Sequence, residues 1–200
     1  MVSDVWADSR VLYTLLVAAV GVERLVELAI SHRNLRRALA RGAQAEMLGT
    51  YLPIAVLHGL LLPACLLEVW GLDRPWRTPL GVSMLAVLAA TMALRYWAVA
   101  ALGDRWNVRV VVTPGDTPST AGPYRWLRHP NYLAVALEVP ALALVHGAWL
   151  CALAFGLANL PLLAWRIRTE VAMLCRLTSY GATGPRPPGG APAADSGARL

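Results

Sequence analysis

The sequence contains no lysine: all 18 of its basic residues are arginine. That pattern points to high-GC codon usage, and with it to a bacterial source. Charge is scarce altogether, at 15% of residues, where a soluble domain carries about 25%. The 57% hydrophobic residues come in blocks rather than scattered. Together these exclude an ordinary soluble domain and point to a bilayer. Cysteine is sparse as well. Cys65, Cys151 and Cys175 stand far apart and form no CxxC pair, metal-ligand spacing or disulfide framework, so they read as small apolar side chains within helices. No acidic or cysteine partner stands at ligand spacing from a histidine such as His58, so no metal is expected. The N-terminus lacks a basic n-region and has Asp4 and Asp8 instead, so no cleavable signal peptide is expected. No internal repeat occurs. The net charge of +6 does not imply nucleic acid, because no basic run alternates with aromatics and the arginines gather at the ends of apolar blocks.

What is present is five apolar blocks. A membrane helix needs about 20 mostly apolar residues. The blocks run from Val11 to about Ile30, from Tyr51 to Trp70, from Pro79 to Leu102, from Tyr132 to about His146, and from Ala148 to about Trp165. The expected architecture is all-α and integral to the membrane. The last two spans are short, with Gly147 between them, and predict a tight helical hairpin.

Arginine placement predicts the orientation. Arg33, Arg36, Arg37 and Arg41 follow the first block. Arg105, Arg109, Arg125 and Arg128 follow the third. Arg166, Arg168, Arg176, Arg186 and Arg199 follow the fifth. The other side holds Arg10, Arg74 and Arg77. The positive-inside rule then puts the N-terminus outside and the C-terminus in the cytosol, in a bacterial plasma membrane. Residues 1–180 read as one membrane domain. The stretch 181–200, rich in Gly, Pro and Ala, reads as a disordered tail. The longest polar region within the folded part, Gly103 to Asn131, is expected on the cytosolic side, where VRVVV can pair or pack and GPYRWLRHPNY (Gly122–Tyr132) is dense in specialised residues.

In that segment Gly122-Pro123 fixes a turn, and Pro130 can open a helix as its first residue. His129 and Tyr132 then sit at a helix N-terminus, where free N–H groups attract an anion. Tyr124, Trp126 and Tyr132 offer aromatic faces for an adenine or a sulfonium. The bland alternative is an interfacial belt of Arg, Trp and Tyr anchors. Arg166 and Glu170 are four apart and share a helix face, which alone suggests a simple ion pair. Glu23, Arg24, Glu27, Glu68, Arg95 and Glu138 fall within spans, where a charge costs about 2.5–3.5 kcal/mol and seeks a partner or a cavity. Local pairing is expected for Glu23, Arg24 and Glu27, and interfacial water for Glu68 and, as an alternative to pairing, for Arg24. Glu138, two turns into the helix that begins at the candidate site, is the most suggestive.

GPYRWLRHPNY, followed by RIRTEVAML (Arg166–Leu174), resembles the isoprenylcysteine carboxyl methyltransferase family, with its G-x-Y-x-x-x-R-H-P-x-Y and later R-I-x-x-E-E-x-x-L segments. The resemblance covers roughly Leu102 to Leu174. Arg33, Asn34, Gly42, Ala43 and Glu46, with the NVRVVVTPG stretch, look like a bacterial branch associated with O-methylation of phenolic lipids and alkylpyrones. The resemblance implies helices around a cytosolic pocket for S-adenosylmethionine. It implies cofactor contacts at Tyr124, His129, Pro130, Asn131, Tyr132 and Glu170, and a substrate-facing, catalytic Arg166. Glu138 and Arg109 are further substrate-side candidates. Two departures stand out. Asp116–Thr120 reads DTPST where the family has H-x-L-V-T, and Val171 replaces the second Glu of the late motif.

The expected function is an integral membrane S-adenosylmethionine-dependent O-methyltransferase. It would act on a carboxylate or a phenol or enol oxygen of a lipophilic or prenylated acceptor, among membrane lipids and with no nucleic acid or obligate protein partner. The alternatives are an NADPH-dependent, sterol-reductase-like membrane enzyme, which shares an R-x-x-R-H-P-x-Y-type segment, and a non-enzymatic membrane scaffold. A scaffold predicts that Arg166 and Glu170 pair only with each other and that no cavity opens beside His129.

Overall fold

The computed structural model of the chain describes residues 2–46, 49–178 and 180. The expected tail, 181–200, lies outside the described residues. Five α-helices carry the described fold: α1 (Val2–Ala40), α2 (Tyr51–Gly71), α3 (Thr78–Leu102), α4 (Pro130–Leu144) and α5 (Trp149–Leu177). Two short strands, β1 (Gln44–Ala45) and β2 (Val111–Val112), pair antiparallel, Gln44 opposite Val112. The VRVVV stretch therefore does pair. Among the described residues α2, α5 and α3 with its 3₁₀ extension are long and apolar enough to cross a bilayer. The protein is an all-α integral membrane protein. α1 is longer still but carries Glu23, Arg24 and Glu27 midway. α4 is short, its 15 residues rising about 22 Å.

Helices α1 and α5 outrun the blocks expected for them. A sequence reading ends a span where charge begins, yet a helix continues wherever polar side chains find internal partners. Beyond Ile30, Leu35 and Ala38 of α1 are buried, and Asn34 donates to the Trp106 carbonyl at 2.9 Å. Beyond Trp165, Arg166 of α5 is only 5% exposed, with each of its three nitrogens hydrogen-bonded. It therefore lies on the membrane helix itself, not past its end.

At one end of the bundle Arg10 donates to Asp73 at 2.9 Å and Ser9 meets His146 at 3.1 Å. The start of α1, the α2–α3 turn and the α4–α5 turn thus lie together. The opposite end collects the last turns of α1, the β1–β2 pair, the 103–129 region and the second half of α5. The core near the first end joins Tyr13 and Val17 of α1, Leu61 and Val69 of α2, and Val139 and Leu142 of α4. Cys65 and Cys151 are buried in it, whereas Cys175 is exposed.

The expectation that Glu68 reaches interfacial water is not met. Its buried carboxylate accepts the Leu150 and Cys151 N–H groups at 3.1 and 2.8 Å and Arg74 at 2.7 Å. The first turn of α5 has no intrahelical partners for these N–H groups, and an acid there suits the helix dipole. Glu68→Ala should cost about 1–3 kcal/mol, read as a lower thermal midpoint in detergent. Unchanged melting would contradict this role.

The remaining intramembrane charges form one cluster. Arg24 donates to Glu27 at 2.6 Å and to Glu138, and lies 3.4 Å from Glu23. Arg95 donates through Nε to Glu27 at 2.7 Å and through a second nitrogen to the other oxygen. The expected local pairing on α1 is present, and it is extended across α3 and α4.

Candidate functional site

The segment before α4 is shaped by its glycine and prolines. Gly122 has φ +55°, and a Cβ there would stand 2.9 Å from the Ala101 Cβ. Only glycine lets the 3₁₀ turn Gly122–Arg125 lie this close to the end of α3. Pro123 and Pro130 are fully buried. Pro130 is the first residue of α4 and His129 its N-cap, as the sequence predicts.

One turn into α4, Tyr132 faces α5. Arg166 Nε donates to the Tyr132 hydroxyl at 3.1 Å, and that hydroxyl donates to Glu170. Arg166 and Glu170 therefore share a helix face but do not pair with each other; Tyr132 stands between them. The other Arg166 nitrogens reach the Val108 carbonyl and, at 3.4 Å, the Thr50 hydroxyl. Thr50 in turn donates to Glu46 at 2.7 Å. The His129 ring lies against the Tyr132 ring at 5.5 Å, and Arg109 sits over Tyr51 at 4.7 Å.

Three cavities meet here. A polar cleft of about 670 Å³ opens at this end of the bundle, with Arg41, Arg105, Thr117, Tyr124, His129 and Glu170 in its walls. An apolar chamber of about 290 Å³ lies deeper, walled by Leu25, Ile54, Ala55, Leu62, Val135 and Leu163. A narrow space of about 90 Å³ shares Tyr124, His129 and Glu170 with the cleft, and Asn131, Tyr132 and Arg166 with the chamber.

Burial pushes the Tyr124 phenol well above its ordinary pKa, and the charge of Glu170 adds to this. Burial pulls His129 below the usual histidine value, against the opposite pull of Glu170. Both side chains are then uncharged at neutral pH. Because the folded-state pKa of His129 is depressed, its neutral form favours the folded wall above the ordinary value of about 6.5. That contribution is lost as pH falls from there through the depressed folded value. The thermal midpoint should therefore drop more steeply on acidification below about pH 6.5 in wild type than in His129→Gln. Parallel curves would contradict the assignment.

Of the residues singled out in the sequence, Tyr124, His129 and Glu170 line the cleft, and Asn131, Tyr132, Arg166 and Arg109 line the narrow space. Pro130 lines none of these cavities and serves to start α4. Glu138 lines none either; it is 5% exposed and held by Arg24. The unusual DTPST stretch, Asp116–Thr120, does lie in the cleft wall. No local pattern marks Trp106, Thr50, Arg41 or Arg105 as site residues. They arrive there through the β1–β2 pairing and the clamping of the 103–110 region onto α1, neither of which leaves a periodic signal.

Residues 83–176 match the family model described as isoprenylcysteine carboxyl methyltransferase (ICMT). The chain is 33% identical over 160 residues to the uncharacterised protein YpbQ of Bacillus subtilis, a match spanning 80% of this chain and 94% of that protein. It is 24% identical over 155 residues to an uncharacterised protein of Haemophilus influenzae, spanning 77% of this chain and 90% of that one. No solved structure matches.

Proposed function

The chain belongs to the isoprenylcysteine carboxyl methyltransferase family, and from that premise we propose that it is an S-adenosylmethionine-dependent O-methyltransferase acting on a lipophilic acceptor within the membrane. The observation that carries this reading is one narrow space that adjoins both a polar cleft, through Tyr124, His129 and Glu170, and an apolar, membrane-level chamber, through Asn131, Tyr132 and Arg166. A reaction between a water-soluble donor and a lipid needs two such compartments joined at one place.

The cleft suits S-adenosylmethionine in size, within the roughly 300–1,000 Å³ of ligand pockets, and in chemistry. Tyr124 and His129 offer flat faces for an adenine, the Glu170 carboxylate matches a sulfonium or an ammonium, and the Arg41, Arg105 and Arg128 guanidiniums match a carboxylate. When bound, the cofactor supplies a methyl group already activated by its sulfonium.

The protein's part is alignment and exclusion of water, which lowers a barrier by several kcal/mol (on the order of 7–11 at best). Tyr132 fixes Arg166 and Glu170 relative to each other. Arg166 is a buried cation with hydroxyls and a carbonyl for partners, so it can hold an acceptor oxyanion. A carboxylate acceptor, with a pKa of about 4, needs no base. A phenol or enol gains from a cation that favours its ionised form. Arginine asymmetry supports placing the cleft in the cytosol and the first end of the bundle outside, in a bacterial plasma membrane. A scaffold would leave Arg166 and Glu170 paired only with each other and His129 without a cavity, and neither is the case.

Calorimetry tests this reading. Wild type should bind S-adenosylmethionine or its demethylated product, and Glu170→Ala should bind about 10–100-fold more weakly, the effect of losing a charged hydrogen-bonding group. Mass spectrometry of lipid extracts incubated with labelled methyl donor should then reveal the acceptor. No binding, or binding of NADPH in preference, would overturn the assignment.

A further inference from the structure

The turn that opens α2 uses its polar groups in an unusual way. Thr50 is the N-cap of α2, yet its side chain caps no N–H of the helix. A threonine there ordinarily turns its oxygen to the free N–H groups of the first turn. Here the hydroxyl is directed elsewhere. It donates to the Glu46 carboxylate at 2.7 Å and accepts from an Arg166 nitrogen at 3.4 Å. The second Glu46 oxygen accepts the Thr50 main-chain N–H at 2.8 Å. Glu46 thus takes both protons of Thr50, and the hydroxyl has only lone pairs to offer Arg166.

The surroundings hold this arrangement in place. Thr50 is fully buried. The Glu46 N–H donates to the Val110 carbonyl at 2.9 Å, next to the β1–β2 pair. A Cβ on Gly49 would stand 2.1 Å from the Glu46 oxygen that holds the Thr50 N–H, so any side chain there would displace that oxygen.

Arg166 then stands between two relays of the same form. Tyr132 accepts from Arg166 and donates to Glu170, and Thr50 accepts from Arg166 and donates to Glu46. Each carboxylate is one hydroxyl away from the guanidinium. A carboxylate in direct contact would neutralise the cation and compete with an incoming oxyanion. One hydroxyl away, it fixes where the lone pairs of that hydroxyl face and leaves the positive charge for a ligand. Of the five N–H groups of an arginine, Tyr132, Thr50 and Val108 occupy three, so two remain for a ligand. The relays differ in what they border. Glu170 lines the polar cleft, whereas Glu46 and Thr50 line neither the cleft, the chamber nor the narrow space.

Resting on the methyltransferase reading, we propose that Glu46 is a positioning residue that aims the Arg166 guanidinium at the acceptor oxygen through the Thr50 hydroxyl.

Glu46→Gln keeps the side-chain size and an oxygen for the Thr50 N–H. It puts an amide donor where the Thr50 hydroxyl needs an acceptor, so the hydroxyl is no longer held with its lone pairs toward Arg166. The probes are S-farnesyl-N-acetylcysteine and a 5-alkylresorcinol, assayed with labelled S-adenosylmethionine. On whichever probe wild type methylates, Glu46→Gln should lower kcat/KM by about 10–100-fold, the range for a supporting residue whose loss misplaces a reacting group. Calorimetric binding of S-adenosylmethionine should not change. Thr50→Val should lose a similar factor, and Thr50→Ser, which keeps the hydroxyl, clearly less. That pair carries the same comparison if Glu46→Gln does not fold. In an Arg166→Lys background Glu46→Gln should cost little further activity, whereas a residue that only supports the fold carries its full loss into the double variant. Full additivity overturns the proposal.

A second readout needs no turnover. The Arg166 Nε–H gives a nitrogen–proton NMR signal, identified by its absence in Arg166→Lys. Its exchange with water should be about tenfold faster in Glu46→Gln and Thr50→Val, the scale of one lost hydrogen bond, and closer to wild type in Thr50→Ser. Unchanged exchange overturns the proposal even where neither probe is methylated. Failure of wild type to bind S-adenosylmethionine overturns the methyltransferase reading instead, so the two failures are distinguishable.

Discussion

Arg166→Lys should lower kcat/KM for the acceptor by about 10²–10³, the effect of removing one preorganised donor at a reacting centre, while changing affinity for S-adenosylmethionine little. Arg166 spreads its nitrogens over three partners, the Tyr132 hydroxyl, the Thr50 hydroxyl and the Val108 carbonyl. A lysine has one ammonium on a flexible stem and cannot reproduce that fork. The 103–110 region would then lose its tie to α5, and the cation proposed to steady the acceptor oxyanion would be misplaced. The cleft, walled by Tyr124, His129 and Glu170 rather than by Arg166, should keep its affinity. Initial rates with labelled methyl donor, set beside calorimetry of cofactor binding, separate the two effects. A lysine variant with wild-type kcat/KM would remove Arg166 from the reaction. A variant that loses both activity and cofactor binding would make it a structural residue of the whole site.

The second large effect belongs to the membrane interior. Arg95→Met should destabilise the protein by about 3–5 kcal/mol, the usual result of removing one partner from a buried ion pair. Glu27 is 7% exposed and receives both Arg95 and Arg24. Without Arg95 it keeps only the share of Arg24 that Glu138 does not take. Adding Glu27→Gln to Arg95→Met should restore much of the loss, because no uncompensated charge then remains at that position. Thermal unfolding of purified protein in detergent reads both. Additive losses in the double variant would show that the two residues act separately, contrary to their geometry. The same cluster bears on activity, since Arg24, Glu27 and Arg95 also border the apolar chamber.

Most of the site could be named from the sequence, and its wiring could not. GPYRWLRHPNY announced its turn, its helix start and its aromatic faces, because proline and glycine act on the backbone within a few residues. The spacing of Arg166 and Glu170 gave their common face. It suggested a direct ion pair, and that was wrong, because the Tyr132 hydroxyl comes between them from 34 and 38 residues away. Glu138 looked like a substrate contact from its depth in α4. Its partner is Arg24, 114 residues distant, a relation that no local pattern encodes. Trp106 was invisible as a site residue. It reaches the walls of the chamber and the narrow space because Asn34 of α1 holds its carbonyl, and that is a property of packing.

By itself the sequence determined that this is an all-helical membrane protein, where its helices fall to within a few turns, and which short segments break the helical pattern to build a site. Those features follow from apolar run length and from backbone-restricting residues, both of which act locally. Tertiary structure alone decided how far α1 and α5 continue, which acid answers which arginine, and that a narrow space walled by Asn131, Tyr132 and Arg166 on the chamber side and by Tyr124, His129 and Glu170 on the cleft side lies between the two larger cavities. Hydropathy records whether a residue prefers lipid or water. It does not record the partner that allows a charge such as Arg95 or Arg166 to stay buried, because that partner is supplied by another helix.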